Sequence, residues 1–359
     1  MAEETACGEA RRPDPHQEPP TAHESQRGVF RAAFGVLRRN WRALYGRTAR
    51  ATVLAALGGL SVTGAGFLAA WPAFSEMRRG ALAARRAGDS YAPDGRLVNG
   101  LLLIALAGLP LLIVLLHLGG AAVQTVAARA AAGRAAAGPE RELPPPGGRL
   151  GGPPRARFRS VFAAFVLRGV CAWSPLVLGF LVEESFTTTT FREYTALVPK
   201  WQYPHLFFAL RYGSTSLGLA AVLLLRLGWA VAPAAAADGL PAAAALRRSW
   251  SLVWSRAGRL RTAAVAVPLW ALSAGTYALL QLAAAPLHSG AVSLFLEWGP
   301  DNTYAAYTAG LLAPVAAASL LTGALTLPSA HIALAVLHRR LAADRERAAQ
   351  PPRTATAGR

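Results

Sequence analysis

Few residues in this chain are of a type that could do chemistry. They are two adjacent glutamates, Glu183 and Glu184; two histidines inside apolar runs, His117 and His331; and three arginines in or beside such runs, Arg168, Arg211 and Arg226. Paired carboxylates can hold a metal ion when imidazoles converge on the same point. Here the glutamates end one apolar run at one side, whereas both histidines lie toward the other side of theirs. A hydrocarbon thickness of about 30 Å would keep them apart. Arg192 follows the pair only after seven intervening residues. We read Glu183 and Glu184 as capping the exit of a span in water. There is no Gly-rich phosphate loop with a lysine and no G-x-S-x-G elbow. Cys7 sits in a polar tail and Cys171 in an apolar run, a spacing that suits neither a disulfide nor a thiolate metal site. The sequence therefore predicts no catalytic residue, no cofactor and no metal.

The arginines carry more. An ionisable residue inside a span is a functional candidate by default. Arg211 and Arg226 each lie about five residues from a boundary, within snorkelling reach of the head groups. Arg211 reads as snorkelling. For Arg226 two readings stay open: pairing with Asp238, or accepting an anionic head group. Arg168 reads as part of an interfacial segment before a span begins. His117 reads as a hydrogen-bonded packing residue, since a proton relay would need an acidic neighbour.

The elements that must position these residues follow from composition. Of 359 residues, 53% are hydrophobic and only 16% charged, yet the net charge is +18. Soluble domains carry about a quarter charged residues. The two facts agree if the apolar mass sits in lipid and the arginines at its margins, facing anionic head groups rather than nucleic acid. Lys200 is the only lysine against 36 arginines, a bias expected of a GC-rich, bacterial genome.

Six runs reach the roughly 20 residues a spanning helix needs. They cover about 51–71, 98–125, 163–183, 206–231, 262–284 and 308–337. Prolines 110, 175, 268, 314 and 328 fall inside them. Membrane helices tolerate proline, with kinks expected there. Residues 1–27 are polar, do not read as a signal peptide, and read as a disordered tail; 342–359 read as another. Region 137–157, rich in Pro, Gly and Arg, reads as a flexible loop. The membrane domain is then 28–341. The expected fold class is all-α: a polytopic protein of six transmembrane helices plus amphipathic interfacial helices.

Arginine counting orients it. The terminal segments and the second and fourth loops hold 27 Lys/Arg, the other three loops seven. The positive-inside rule then puts both termini in the cytoplasm, at the cell membrane. Five arginines in loop 72–97 run against this pattern. Trp41, Trp229, Trp250 and Trp254 fall at the proposed inner boundary, and Trp71, Trp201 and Trp298 at the outer one, the depth that amphipathic rings favour.

One device is written twice. LRRNWRALYGRTAR (37–50) and LRRSWSLVWSRAGRLR (246–261) share Leu37/Leu246, Arg38/Arg247, Arg39/Arg248 and Trp41/Trp250 at a constant offset of 209, with Tyr45 opposite Trp254. On a helix Leu246, Trp250, Val253 and Trp254 share one face, as do Phe30, Phe34, Leu37, Trp41, Leu44 and Tyr45. Such helices lie in the interface, apolar face down and guanidinium groups toward phosphates. A fainter third copy aligns FRAAFGVL (30–37) with FRSVFAAF (158–165). The chain thus reads as a three-fold internal repeat, each unit an interfacial helix followed by two spans. Two readings of the device stay open: an anchor that only sets topology, or a contact site for anionic phospholipid or a cytoplasmic protein partner.

The run LLLRLGWAVAPAAAADGLPAAAALRRSWSLVWSR (223–256) resembles the membrane domain associated with glycerophosphoryl diester phosphodiesterases. Arg226, Pro233, Asp238, Gly239, Leu246, Arg247, Arg248, Ser249 and Trp250 follow that family's order: an arginine late in a span, a Pro-containing exit, an acidic-Gly turn, then L-R-R-S-W. Asp238 stands where the family usually has glutamate. The resemblance covers about 35 residues and implies a six-span integral membrane protein. It does not imply phosphodiesterase activity, which belongs to a separate barrel domain.

The expected function is that of a non-enzymatic membrane protein acting through lipid or partner contacts. A transporter or permease-like subunit is the alternative, because Pro268, Pro314 and Pro328 could break helices at membrane depth. An intramembrane enzyme comes third.

Overall fold

A computed structural model describes residues 22–136, 154–185, 204–298 and 301–350. Among these, every regular element is an α-helix: α1 (Ala22–Ala87), α2 (Gly95–Ala136), α3 (Pro154–Ser185), α4 (Pro204–Gly228), α5 (Ala232–Ala237), α6 (Ala242–Val253), α7 (Gly258–Ala283), α8 (Pro286–Trp298) and α9 (Thr303–Ala349). Six of them, α1 to α4, α7 and α9, are long and apolar enough to cross a membrane. The all-α, polytopic architecture is therefore as expected from the runs of Leu, Ala and Val.

The solvent of these helices is legible in their surfaces. In the most apolar window of α2 no residue is buried inside the protein, and Leu102, Leu103, Leu106, Leu111 and Leu116 stand exposed. Each such leucine in water would forgo about 1.5–3 kcal/mol. Hydrocarbon removes that cost. An even number of crossings brings the start of α1 and the end of α9 to the same end of the bundle, where an Arg340 Nη atom donates to the Gly28 carbonyl at 3.0 Å. We call this the arginine-rich end.

The main core lies there. Val29, Val36 and Leu44 of α1 pack with Val253, Val265, Ile332, Leu337 and Leu341. Beside it, Ala121, Val161, Ala164, Ala235, Ala236 and Ala245 make an alanine seam between α2, α3, α5 and α6. At the opposite end a smaller cluster joins Ala70, Phe74 and Met77 to Ala305, with Trp71, Tyr91 and Phe295 around it.

Small residues set the close helix pairs. In α1 and α2, a Cβ on Gly58 would stand 2.9 Å from Leu115 Cδ1, so the small-residue stretch 58–66 packs helices. In α3 and α4 the approach is backbone to backbone. A Cβ on Gly179 would lie 2.6 Å from the Ser214 carbonyl oxygen, and one on Gly218 2.7 Å from that of Pro175. The α3–α4 hairpin meets the rest at the arginine-rich end, where Phe165 covers Gly120.

Several boundaries differ from the sequence reading. Helix α1 starts at Ala22 and α9 runs to Ala349, so parts of both expected tails are helical. Helix α3 starts at Pro154, inside the expected loop 137–157; proline suits a first turn because its missing N–H would have no partner there anyway. Residues 137–153 lie outside the described residues. Most of loop 72–97 is helix, and α1 ends at Gly88, whose φ of 75° is the left-handed conformation that glycine adopts without strain. Helix α8, between the last two spans, was not foreseen. The prolines do not interrupt their helices: α7 continues through Pro268, and α9 through Pro314 and Pro328. The backbone break falls in α1 at Asn40 (φ −116°, ψ 16°), whose side-chain amide donates to the Val36 carbonyl at 3.1 Å.

Candidate functional site

Asp238 caps the C-terminus of α5, one residue before Gly239, whose φ of 103° lets the chain reverse into α6. Its carboxylate meets His338 Nε2 at 3.2 Å and Arg339 at 3.6 Å. Burial pushes the carboxyl pKa up, but the hydrogen bond from His338 and the charges of His338, Arg339 and Arg248 outweigh it and hold the pKa below the usual value. The side chain remains 39% exposed, so solvent screens the gain. Further pairs join this end: Arg261 with Asp344, and Arg248 with Glu346 at 3.9 Å. An Arg345 Nη atom donates to Ser251 Oγ at 2.8 Å. A groove of about 670 Å³ runs between α6 and the end of α9, lined by Arg247, Arg248, Ser251, Arg345 and Glu346. A cavity of about 20 Å³, lined by Arg129, Asp238 and Arg339 among others, holds space for one water.

Asp238 is thus engaged from α9, and the pairing with Arg226 does not occur. Instead Arg226, two residues before the end of α4, lies over the Trp173 ring of α3 at 4.9 Å. Arg168, one turn and a half before Trp173, is half-buried and within electrostatic reach of Arg226. It lies on the same unbroken helix as the third span, α3. His331 of α9 lies within electrostatic reach of Arg168 and is 7% exposed, and its Nε2 has no partner. Its ring stands edge-on to Phe165 at 5.7 Å, and His117 does the same at 6.0 Å. His117 Nδ1 lies 2.6 Å from the Ile113 carbonyl of its own helix, as a packing histidine would. Sequence reasoning treated these groups one span at a time. Only the packing of α3 against α2, α4 and α9 gathers Arg168, Arg226, Trp173, His117 and His331 into one polar patch.

The expected apolar stripes of the basic-aromatic device are divided between the protein core and its rim. In α6 the buried face is Ala245, Leu246, Ser249, Leu252 and Val253, while Trp250 is exposed. In α1 it is Val29, Ala33, Val36 and Leu44, while Phe34 and Trp41 are exposed. The protein core takes Leu44, Leu246 and Val253 from these stripes, where the long ends of α1 and α9 pack on each other. The aromatics are left at the rim. Trp250 lies between Trp229 at 6.1 Å and Trp254 at 5.4 Å, and Arg42 lies over Trp41 at 5.6 Å. Arg38, Arg39, Arg247 and Arg248 are exposed. Ser249 Oγ ties α6 to α4 by donating to the Gly228 carbonyl at 2.9 Å. The helix breaks of the two strong copies are out of register: Asn40 aligns with Ser249, not with the turn at 254–257. The third copy, 158–165, runs into its span unbroken.

Arg211, Glu183 and Glu184 lie on α4 and α3, but their side chains, like all of Arg192 and Trp201, are outside the described residues. Among the described residues, no three His, Cys, Asp or Glu side chains converge as metal ligands do.

No family model, curated protein or solved structure matches this chain.

Proposed function

We propose that this protein is a non-enzymatic integral membrane protein that works through anionic lipid head groups, or a protein partner, at the cytoplasmic leaflet of a bacterial cell membrane. The observation that carries this reading is the rim of the arginine-rich end. There, exposed Arg38, Arg39, Arg247 and Arg248 stand beside exposed Trp41 and Trp250, while the neighbouring helix faces are buried in the protein. Guanidinium groups that face outward beside indole rings suit the phosphate and glycerol depth of a bilayer. The positive-inside bias supports the cytoplasmic placement, and the LRRSW run supports kinship with the membrane domain named above. The transport alternative drew on broken helices; α7 and α9 run through their prolines.

The test reconstitutes the full chain in nanodiscs with increasing phosphatidylglycerol. Its melting temperature rises with the anionic fraction, and the rise shrinks in high salt and in the Arg247→Gln, Arg248→Gln variant. A melting temperature indifferent to lipid charge sinks the lipid reading. Cysteine labelling in intact cells, with single cysteines introduced at 140 and 89, places the arginine-rich end inside; labelling of 140 from outside overturns the orientation.

A further inference from the structure

We propose that Arg168 and Arg226 form a built binding site for one phosphoryl group, entered from the lipid side of the crevice between α3 and α4. The proposal rests on the lipid reading above but names a different place, below the rim.

The contacts of Gly179 with Ser214 and of Gly218 with Pro175 set an antiparallel register that puts Arg168 of α3 at the level of Arg226 of α4, and neither guanidinium can shed its charge. Neither has a hydrogen bond or an ion pair among the described residues; Arg226 has only the Trp173 ring. Among the described residues no carboxylate pairs with either of them. None of its 19 acidic residues falls between Glu142 and Glu183, or between Glu193 and Asp238. Glu183 is fifteen residues beyond Arg168, about 22 Å along a helix. Asp238 is taken by His338 and Arg339. A counter-charge from outside the protein would satisfy both.

The surroundings specify its chemistry. The Trp173 ring holds the Arg226 guanidinium carbon at 4.9 Å from its centroid, and the N–H groups of a guanidinium can bind a tetrahedral oxyanion by paired hydrogen bonds. His331 adds a buried ring nitrogen without a partner beside Arg168. Trp173 is 41% exposed, and Val170 and Val177, on the same face of α3, are exposed too. An acyl chain can lie along that stripe while its phosphate reaches the arginines near the arginine-rich end of the span. A phospholipid phosphate has both parts; inorganic phosphate has only the first.

The experiment uses the full chain, delipidated in neutral detergent, with native mass spectrometry and melting temperature as readouts. The probes are short-chain phosphatidylglycerol, diacylglycerol of equal chain length, and inorganic phosphate. Phosphatidylglycerol binds saturably, and Arg168→Gln or Arg226→Gln weakens it about tenfold or more, the loss of one charge-assisted bond. The Arg247→Gln, Arg248→Gln variant leaves this site unchanged. Competition by inorganic phosphate assigns the site to the phosphoryl group from either source; no competition assigns it to the lipid. Equal binding of diacylglycerol, or wild-type affinity in both single variants, overturns the site. So does a loss confined to the Arg247, Arg248 variant, which would leave the rim reading standing alone. Failure of the rim variant alone sinks that reading and leaves this one intact. Folding is controlled by Arg168→Met with Arg226→Met. Without an internal counter-ion, this pair of changes raises the melting temperature of the delipidated protein and removes the part of its shift with phosphatidylglycerol that the Arg247→Gln, Arg248→Gln variant retains. A lowered melting temperature means the charges are satisfied within the protein and overturns the proposal.

Discussion

The crossing of α3 and α4 gives a prediction of opposite signs within one helix. Gly213 and Gly218 both lie in α4. A Cβ at Gly213 meets nothing within 4 Å, whereas a Cβ at Gly218 lies 2.7 Å from the Pro175 carbonyl oxygen and 3.0 Å from Leu176 Cα. Alanine in a helix is better than glycine by about 0.8–1 kcal/mol. Gly213→Ala collects that gain. Gly218→Ala collects it too, but must move backbone, and overpacking costs about 1–3 kcal/mol. The net is stabilisation by up to about 1 kcal/mol at 213 and a loss of about 0–2 kcal/mol at 218. Gly179→Ala, 2.6 Å from the Ser214 carbonyl oxygen, behaves like Gly218→Ala. The double variant costs less than the sum, since helices parted at one contact are already apart at the other. Reversible unfolding in mixed micelles measures the stabilities. Intrinsic fluorescence of a variant keeping Trp173 as its sole tryptophan reports whether Arg226 leaves the ring. Equal stability of Gly213→Ala and Gly218→Ala would refute the backbone contact, and with it the geometry that brings Arg226 to Trp173.

Two further outcomes follow from the arginine-rich end. Because the Asp238 carboxyl has a depressed pKa in the folded protein, its contribution is present above the unfolded value of about 3.9 and is lost as pH falls through the folded value. Asp238→Asn therefore lowers stability at pH 7, by no more than about 1 kcal/mol for so exposed a group. It also flattens the acid limb of stability against pH; a limb as steep as wild type means that other carboxylates carry it. Leu44 is wholly buried and Leu60 is 73% exposed. Leu44→Ala should cost about 2–5 kcal/mol, and Leu60→Ala close to nothing in lipid, as read by the same unfolding assay. Similar losses at both positions would mean that Leu60 is packed against protein rather than facing lipid.

The sequence alone determined the solvent and the number of crossings. Six apolar runs of spanning length, arginines gathered at their margins and tryptophans near their ends specify a helical bundle in lipid, because a continuous apolar run of about 20 residues satisfies its own backbone polar groups there as a helix, whereas a barrel strand is short and alternates in polarity. Composition also located Arg226 as a residue needing a partner. What it could not supply was which face of an amphipathic helix would be buried. Around α6 both Trp250 and Ser249 lie on plausible faces, and only the approach of α4 and α9 decides that Ser249 goes in and Trp250 stays at the rim. Asp238 likewise reads as a neighbour of Arg226, twelve residues away; the tertiary structure gives it instead to His338, a hundred residues on. Helix boundaries drifted for a related reason: periodicity marks where apolar residues occur, whereas helices α1 and α9 continue past their apolar runs because packing on each other supports the extra turns. The meeting of Arg168 and Arg226 is of the same kind. Each is visible in the sequence as a charge in or beside a span, but the register that brings their two helices level is decided by how close glycines let α3 and α4 approach.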